Sequence, residues 1–155
     1  MKVIFLDFDG VLNCHSYLLS LDKSDPDYDP DHRLCADRVE LVNRICEATG
    51  AKVVVSSQWR AIRSVDELQA LLEKRGFQGG VIGKTLPGGT DHRGEQISEY
   101  LRNRGAGVEQ YVVLDDIGGA CVEPVGHRLI QTEYMGEGLT EEHVKMAIEM
   151  MEVVG

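Results

Sequence analysis

The apolar residues of this chain fall into short continuous runs, separated by longer segments in which they recur at helical spacing. Lys2 to Leu6 is such a run, with β-branched and aromatic members, as expected of a strand buried on both faces of a parallel sheet. Lys52 to Val55 and Tyr111 to Leu114 repeat the pattern, and shorter runs at Val81, Ile82 and from Arg128 to Gln131 predict two further strands. Between the strands, Val39, Val42, Ile45 and Cys46 predict a helix that opens on a capping-box-like Asp37 and Glu40 and stops at Gly50. A second helix is expected from about Trp59 to Arg75, broken near Ser64, which with Glu67 offers another capping box before the stop at Gly76. A third runs from about Gly94 to Arg104, with Ile97, Tyr100 and Leu101 on one face and Gly105 as terminator, and a last one from Thr140 to about Met151. Two stretches lack a period. Leu12 to Ala36 is polar and carries Pro26 and Pro30, so it predicts an irregular flap in place of a cap domain, and Gly79 to Gly89 is glycine-rich.

Short apolar strands alternating with amphipathic helices indicate an α/β fold, a three-layer Rossmann-like parallel sheet with helices on both faces. The length of 155 residues and a hydrophobic content of 43% suit one domain over 1–155, with the flap inserted at about 12–36. In such sheets ligands bind beyond the carboxyl ends of the strands, near the point where the strand order reverses. Three of the predicted strands end there in a carboxylate or a hydroxyl.

Charge narrows the partners. A formal net charge of -10 argues against a stable nucleic-acid complex, which is built on many cationic contacts to phosphates, although it leaves room for a local basic patch. No run of eighteen apolar residues predicts a membrane span, and the amino terminus enters its first apolar segment without a basic leader. Cys14, Cys35, Cys46 and Cys121 are scattered without a CxxC pair, as reduced thiols would be, and the chain is expected to be cytoplasmic.

The chemistry concentrates at the strand ends. Side chains alternate along a strand, so Asp7 and Asp9 share one mouth while Phe8 points into the packed layer, and Gly10 lets the chain turn tightly away and bring backbone amides close to a bound substrate. The segment FLDFDGVLN resembles the first signature of haloacid dehalogenase-like phosphatases. KVVVSSQWR is similar to the second, an apolar strand ending in serine or threonine, and YVVLDD to the acidic last one, in the family's order. Together with GGTDHRGEQI and GLTEEHVKMAIEMM, they make the chain most similar to the small haloacid dehalogenase-like domains found in RNA-repair proteins.

The resemblance implies a role for each matching position. Asp7 would be the nucleophile that forms an aspartyl phosphate, and Asp9 the acid that protonates the leaving oxygen and then activates water. Ser56 would bond a phosphoryl oxygen, with Ser57 as its rival. Asp115 and Asp116 would hold magnesium, joined by Asp7 and the backbone carbonyl of Asp9. A divalent ion is an electrostatic need, because each pair of carboxylates about 4 Å apart repels by on the order of 4 kcal/mol at an effective dielectric near 20. The family's cation beside the phosphate, usually a lysine, corresponds here to Arg93, with Lys84 as competitor. Arg60 and Trp59 follow the second signature and could meet the substrate, although Trp59 fits a core position equally well. The expected partner is a phosphorylated substrate, either a small molecule or a nucleic-acid end.

Other patterns carry less. Cys14, His15, His32 and Cys35 have zinc-ligand chemistry but not the usual spacing. The run Asp25, Asp27, Asp29 has Pro30 where a calcium loop needs glycine and Ala36 where it needs glutamate. His92 and His127 read as surface histidines. A receiver-like signalling domain would share the acid pair and the phosphorylatable aspartate, but in another order along the chain. Dehalogenation needs neither Asp9 nor a magnesium site.

Overall fold

The computed structural model describes residues 1–86 and 92–152. The last residues of the glycine-rich stretch (87–89), positions 88–91 of the GGTDHRGEQI segment and residues 153–155 lie outside that range. Five parallel strands, β1 (Lys2–Leu6), β2 (Lys52–Val55), β3 (Val81–Lys84), β4 (Gln110–Asp115) and β5 (Leu129–Gln131), form one sheet in the order β3-β2-β1-β4-β5. From β1 the chain steps outward to β2 and β3, then crosses back to lay β4 on the other side of β1. That reversal puts the switch point between β1 and β4.

Alternate residues of the central strands enter different cores. Ile4, Leu6, Val53, Val55, Val112 and Leu114 lie in one buried cluster, and Val3, Phe5, Val54 and Val113 in another. The first is covered by α2 (Ala36–Thr49), α3 (Val65–Lys74) and α5 (Glu141–Glu152), through residues such as Val42, Leu68 and Ala147. The second is covered by α4 (Arg93–Arg104) through Ile97, with Tyr100 and Leu101 beside it. Both faces of the sheet are therefore dry, which is why its strands read as unbroken apolar runs. Among the described residues no helix is long and apolar enough to cross a membrane.

Boundaries differ from expectation where local chemistry was misjudged. The helix expected to start at Asp37 begins at Ala36, after Cys35, and has no side-chain cap; Glu40 instead accepts from the Asn43 amide at 3.0 Å. The Ser64–Glu67 capping box does form, and the break before it is real, because Gln58–Ile62 is a separate 3-10 turn. The flap is more ordered than its sequence suggested. It contains α1 (His15–Ser20) and a 3-10 turn at Pro30–Arg33, and Leu12, Cys14, Leu34 and Cys35 are buried at its roots. Arg75 Nε donates to Leu34 O at 2.7 Å, and Lys74 reaches Asp29 and Asp31 at 3.2 and 2.8 Å, so α3 ties the flap down.

Candidate active site

Register alone brings the key side chains together. Leu6 pairs with Val55 on one side and with Leu114 on the other, so Ser56, Asp7 and Asp115 come next in line at the carboxyl ends of β2, β1 and β4. The Asp7 N–H donates to Leu114 O and the Ser56 N–H to Leu6 O, at 3.0 and 2.9 Å, which extends the sheet by that residue. All three carry the parity of Phe5, Val54 and Val113, and so they face α4. Arg93 opens that helix and is itself buried.

The result is a compact ionic cluster. One carboxylate oxygen from each of Asp7, Asp115 and Asp116 lies within 4.8 Å of the others. Arg93 Nη1 stands 2.5 Å from Asp115 Oδ2 and 3.5 Å from Asp7 Oδ1. Burial pushes the Asp7 carboxyl well above the usual carboxylate range and the neighbouring Asp115 adds to this, against the pull of Arg93. Burial, then Asp115, also raises Asp116. One arginine thus leaves three carboxylates underneutralised, and the all-oxygen donor set suits a hard divalent cation.

Gly10 gives the cluster room. Its φ is +83°, and a Cβ there would run into the Asp116 carboxyl group, so only glycine lets the turn pass beside that side chain. Gly94 serves similarly on α4, where a Cβ would strike the backbone of Val122 and Glu123.

Asp9 stands apart from the other three acids. Its side chain is exposed and held at both oxygens: Asn13 Nδ2 donates to Oδ1 and Trp59 Nε1 to Oδ2, each at 3.0 Å. Trp59, for which core and site positions were equally open, does both jobs. Its ring packs edge-on against Phe8 at 5.6 Å between centroids while its N–H aims Asp9.

The remaining candidates separate by what they already hold. The Ser57 hydroxyl accepts from the Trp59 N–H at 3.2 Å and caps the 3-10 turn, whereas the Ser56 hydroxyl is buried without a partner. Lys84 does not face the acids, because its ammonium donates to the carbonyls of Arg60 and Arg63 at 3.2 and 2.8 Å. Of the two competing cations, Arg93 is the one beside Asp7. Arg60 is not positioned to meet a substrate: it is buried, and its nitrogens donate to Thr85 O at 2.6 Å, Ser57 O at 2.7 Å and Gln96 Oε1 at 2.9 Å. Burial, with Arg93 nearby, lowers its pKa, and Asp7 offsets part of that. Its role is to lock the loop after β2.

Other side chains drawn into the site had no visible signal in the sequence. Asn13 is buried; its carbonyl oxygen accepts from Gly10 N–H at 2.9 Å, and its amide donates to Arg33 O at 3.1 Å as well as to Asp9. Thr132 donates to Gly10 O at 2.6 Å. Thr85 follows the Val55–Lys84 pair, next in line to Ser56, and its hydroxyl is also buried without a partner. His92, expected at the surface, caps α4 by accepting from the Glu95 N–H, and its ring also meets Ala120 O. The thiols of Cys14 and Cys35 lie against the Arg38 guanidinium at 3.5 and 3.1 Å, and His32 Nδ1 accepts from the Asp29 N–H at 3.3 Å.

No curated protein and no solved structure matches the chain significantly. A family of HAD domains, those in Swiss Army Knife RNA repair proteins, matches residues 3–144. That span covers all five strands and every acid of the cluster, and on this ground the chain belongs to that family, a branch of the haloacid dehalogenase superfamily.

Proposed function

We propose that this protein is a magnesium-dependent phosphomonoester hydrolase that works through an aspartyl phosphate on Asp7 and acts on the terminal phosphate of a nucleotide or nucleic-acid end. The observation that carries this reading is the convergence at one switch point of three mutually repelling carboxylates, the Arg93 guanidinium and the unpartnered Ser56 hydroxyl. Carboxylates that repel one another in a buried place are the counterpart of a bound cation. A buried hydroxyl without a partner costs about 1–3 kcal/mol, a cost that a phosphoryl oxygen would remove.

Asp7, Asp115 and Asp116 would hold Mg2+, which supplies positive charge against these acids and the phosphoryl oxygens. An Asp7 oxygen attacks phosphorus, the bond to the leaving oxygen breaks, and Asp9 gives that oxygen its proton. Asp9 then takes a proton from water, the new hydroxide attacks phosphorus, and the bond to Asp7 breaks to release inorganic phosphate. Arg93 opposes the burial and the like charges that favour a protonated Asp7, and offers donors to the phosphoryl group. Ser56 donates to another phosphoryl oxygen.

The exposed Asp9 and a flap held down by α3 leave the mouth open, which favours the end of a larger molecule over a fully enclosed metabolite. The family's association with RNA repair points the same way. Against a receiver stands the strand order, since receiver sheets run 2-1-3-4-5. The test is release of phosphate from an aryl phosphate with magnesium. Steady turnover is expected, falling by at least about a thousand-fold in Asp7→Asn and silenced by excess chelator. Undiminished turnover in Asp7→Asn, or a single stoichiometric uptake of phosphate, would overturn the proposal.

A further inference from the structure

Two arginines at the mouth are used by nothing described so far. Arg33, from the flap, places its guanidinium 4.6 Å from the Trp59 ring centroid, and Arg63, from the end of the 3-10 turn after β2, lies 5.1 Å from it. The same indole donates to Asp9. A second link fixes the location: the Asn13 amide that bonds Asp9 also bonds the carbonyl of Arg33. Both cations therefore stack on the indole whose N–H holds the group that would protonate the leaving oxygen.

Their bonding is incomplete. Arg33 uses Nε on Pro30 O at 3.0 Å and Arg63 uses Nη1 on Trp59 O at 3.2 Å. Among the described residues neither forms an ion pair, although the chain carries 26 Asp and Glu against 16 Lys and Arg. Both guanidiniums therefore keep free N–H donors beside one indole, while the Asp9 carboxylate at its edge accepts from Asn13 and Trp59 instead. An anion that reached both would take up those donors. The planar fork of arginine suits a phosphate group in particular.

We propose that Arg33 and Arg63, held on Trp59, form a subsite for a second phosphate group carried by the leaving group, so that the enzyme selects substrates with a phosphate on the far side of the departing alcohol. The proposal rests on the hydrolase reading for its direction but not for its existence. That second phosphate can be the phosphodiester of an oligonucleotide end or the second ester of a nucleoside bisphosphate. It also reconciles an acidic protein with an anionic substrate: a local pair of cations supplies the contact, and the surface as a whole stays repulsive to long polyanions.

Two measurements test it. In turnover, Arg33→Ala/Arg63→Ala should lower the ratio of kcat/KM for a 3′-phosphorylated dinucleotide over that for p-nitrophenyl phosphate by about ten-fold, through KM for the dinucleotide. Adenosine 3′,5′-bisphosphate, run in parallel, separates the sources, since a loss confined to the dinucleotide assigns the subsite to a phosphodiester. In binding, Trp59 is the only tryptophan of the chain, so its fluorescence reports on the subsite directly. The Asp7→Asn protein titrated with the dinucleotide phosphate should show a saturable, salt-sensitive change that inorganic phosphate produces only at much higher concentration and that the added double substitution abolishes. A ratio within two-fold of wild type, or an unaltered titration in the double variant, would overturn the subsite. Absence of aryl phosphate turnover in wild type would instead count against the hydrolase, and the fluorescence titration would still decide on the subsite.

Discussion

Asp7 and Asp9 are two residues apart, yet their surroundings assign them opposite chemistry. Asp7 is buried among like charges beside Arg93, while Asp9 is exposed and hydrogen-bonded at both oxygens by neutral donors. On the proposed mechanism the first must be ionised to attack, which Arg93 favours against its burial, and the second must exchange protons with water, to which its exposure suits it. Trp59 is the residue on which this depends beyond the acids. Trp59→Phe keeps the packing against Phe8 and an aromatic face for the arginines but deletes the N–H that aims Asp9. A hydrogen bond to a charged group contributes about 1.5–3 kcal/mol, so kcat is expected to fall by about ten-fold or more while the melting temperature moves little. Steady-state kinetics beside a thermal melt would check this, and an unaltered kcat would mean that Asn13 alone orients Asp9.

At the level of elements, each site residue owes its place to how one strand or helix begins or ends. The strands deliver Asp7, Ser56 and Asp115 because their apolar runs stop in register, and α4 delivers Arg93 because Gly94 lets its first turn approach the Val122–Glu123 backbone. The α3 helix is different: it anchors the flap without touching the acids, and its start depends on the reciprocal bonds of Ser64 and Glu67 at 3.1 and 3.2 Å. Ser64→Ala should cost about 1 kcal/mol of stability by removing that cap, while the rate on aryl phosphate is retained. Denaturant unfolding gives the first number and an activity assay the second. The sequence was a good guide to this helix, because a capping box is a local device complete within four residues. It misled for α2, where Asp37 and Glu40 have the same spacing but the chain enters the helix two residues earlier, from Cys35.

For the whole molecule, the acid cluster links folding to pH and, on the proposed function, to magnesium. Carboxyl groups whose pKa is raised on folding hold more protons in the native state than in the unfolded one, so stability falls as pH rises. For Asp7 and Asp116 that loss begins at the ordinary carboxylate range, where the unfolded groups ionise, and continues upward to their raised native values. Metal-free protein should therefore lose stability from this source as pH rises above the ordinary carboxylate range. Magnesium should restore more of it at the higher pH, where fewer protons compete for these carboxylates; at a hundred times its dissociation constant it adds about 2.7 kcal/mol. Thermal melts at pH 5 and 7.5, with chelator and with magnesium, should show the larger metal increment at pH 7.5. In Asp116→Asn that increment should shrink. An equal increment at both pH values would separate metal binding from these acids.

The sequence by itself determined the strands, the alternation with helices, the acids at the strand ends and the order of the motifs, because each is written in neighbouring residues: a run, a period, a DxD. It also placed Arg93 at the opening of a helix. Only the tertiary structure decided among residues of like chemistry. Ser56 and Ser57 are both hydroxyls, and pairing with Leu6 is what leaves one unpartnered while the other caps a turn. Lys84, Arg60 and Arg93 are all cations, and two of them are spent on carbonyls brought near by the loop after β2. Asn13 and the pair on Trp59 had no motif to mark them, since Arg33 and Arg63 are thirty residues apart and meet on a side chain that belongs to the turn of Arg63 alone. Local pattern encodes which groups are available; long-range packing sets which of them are left free to act.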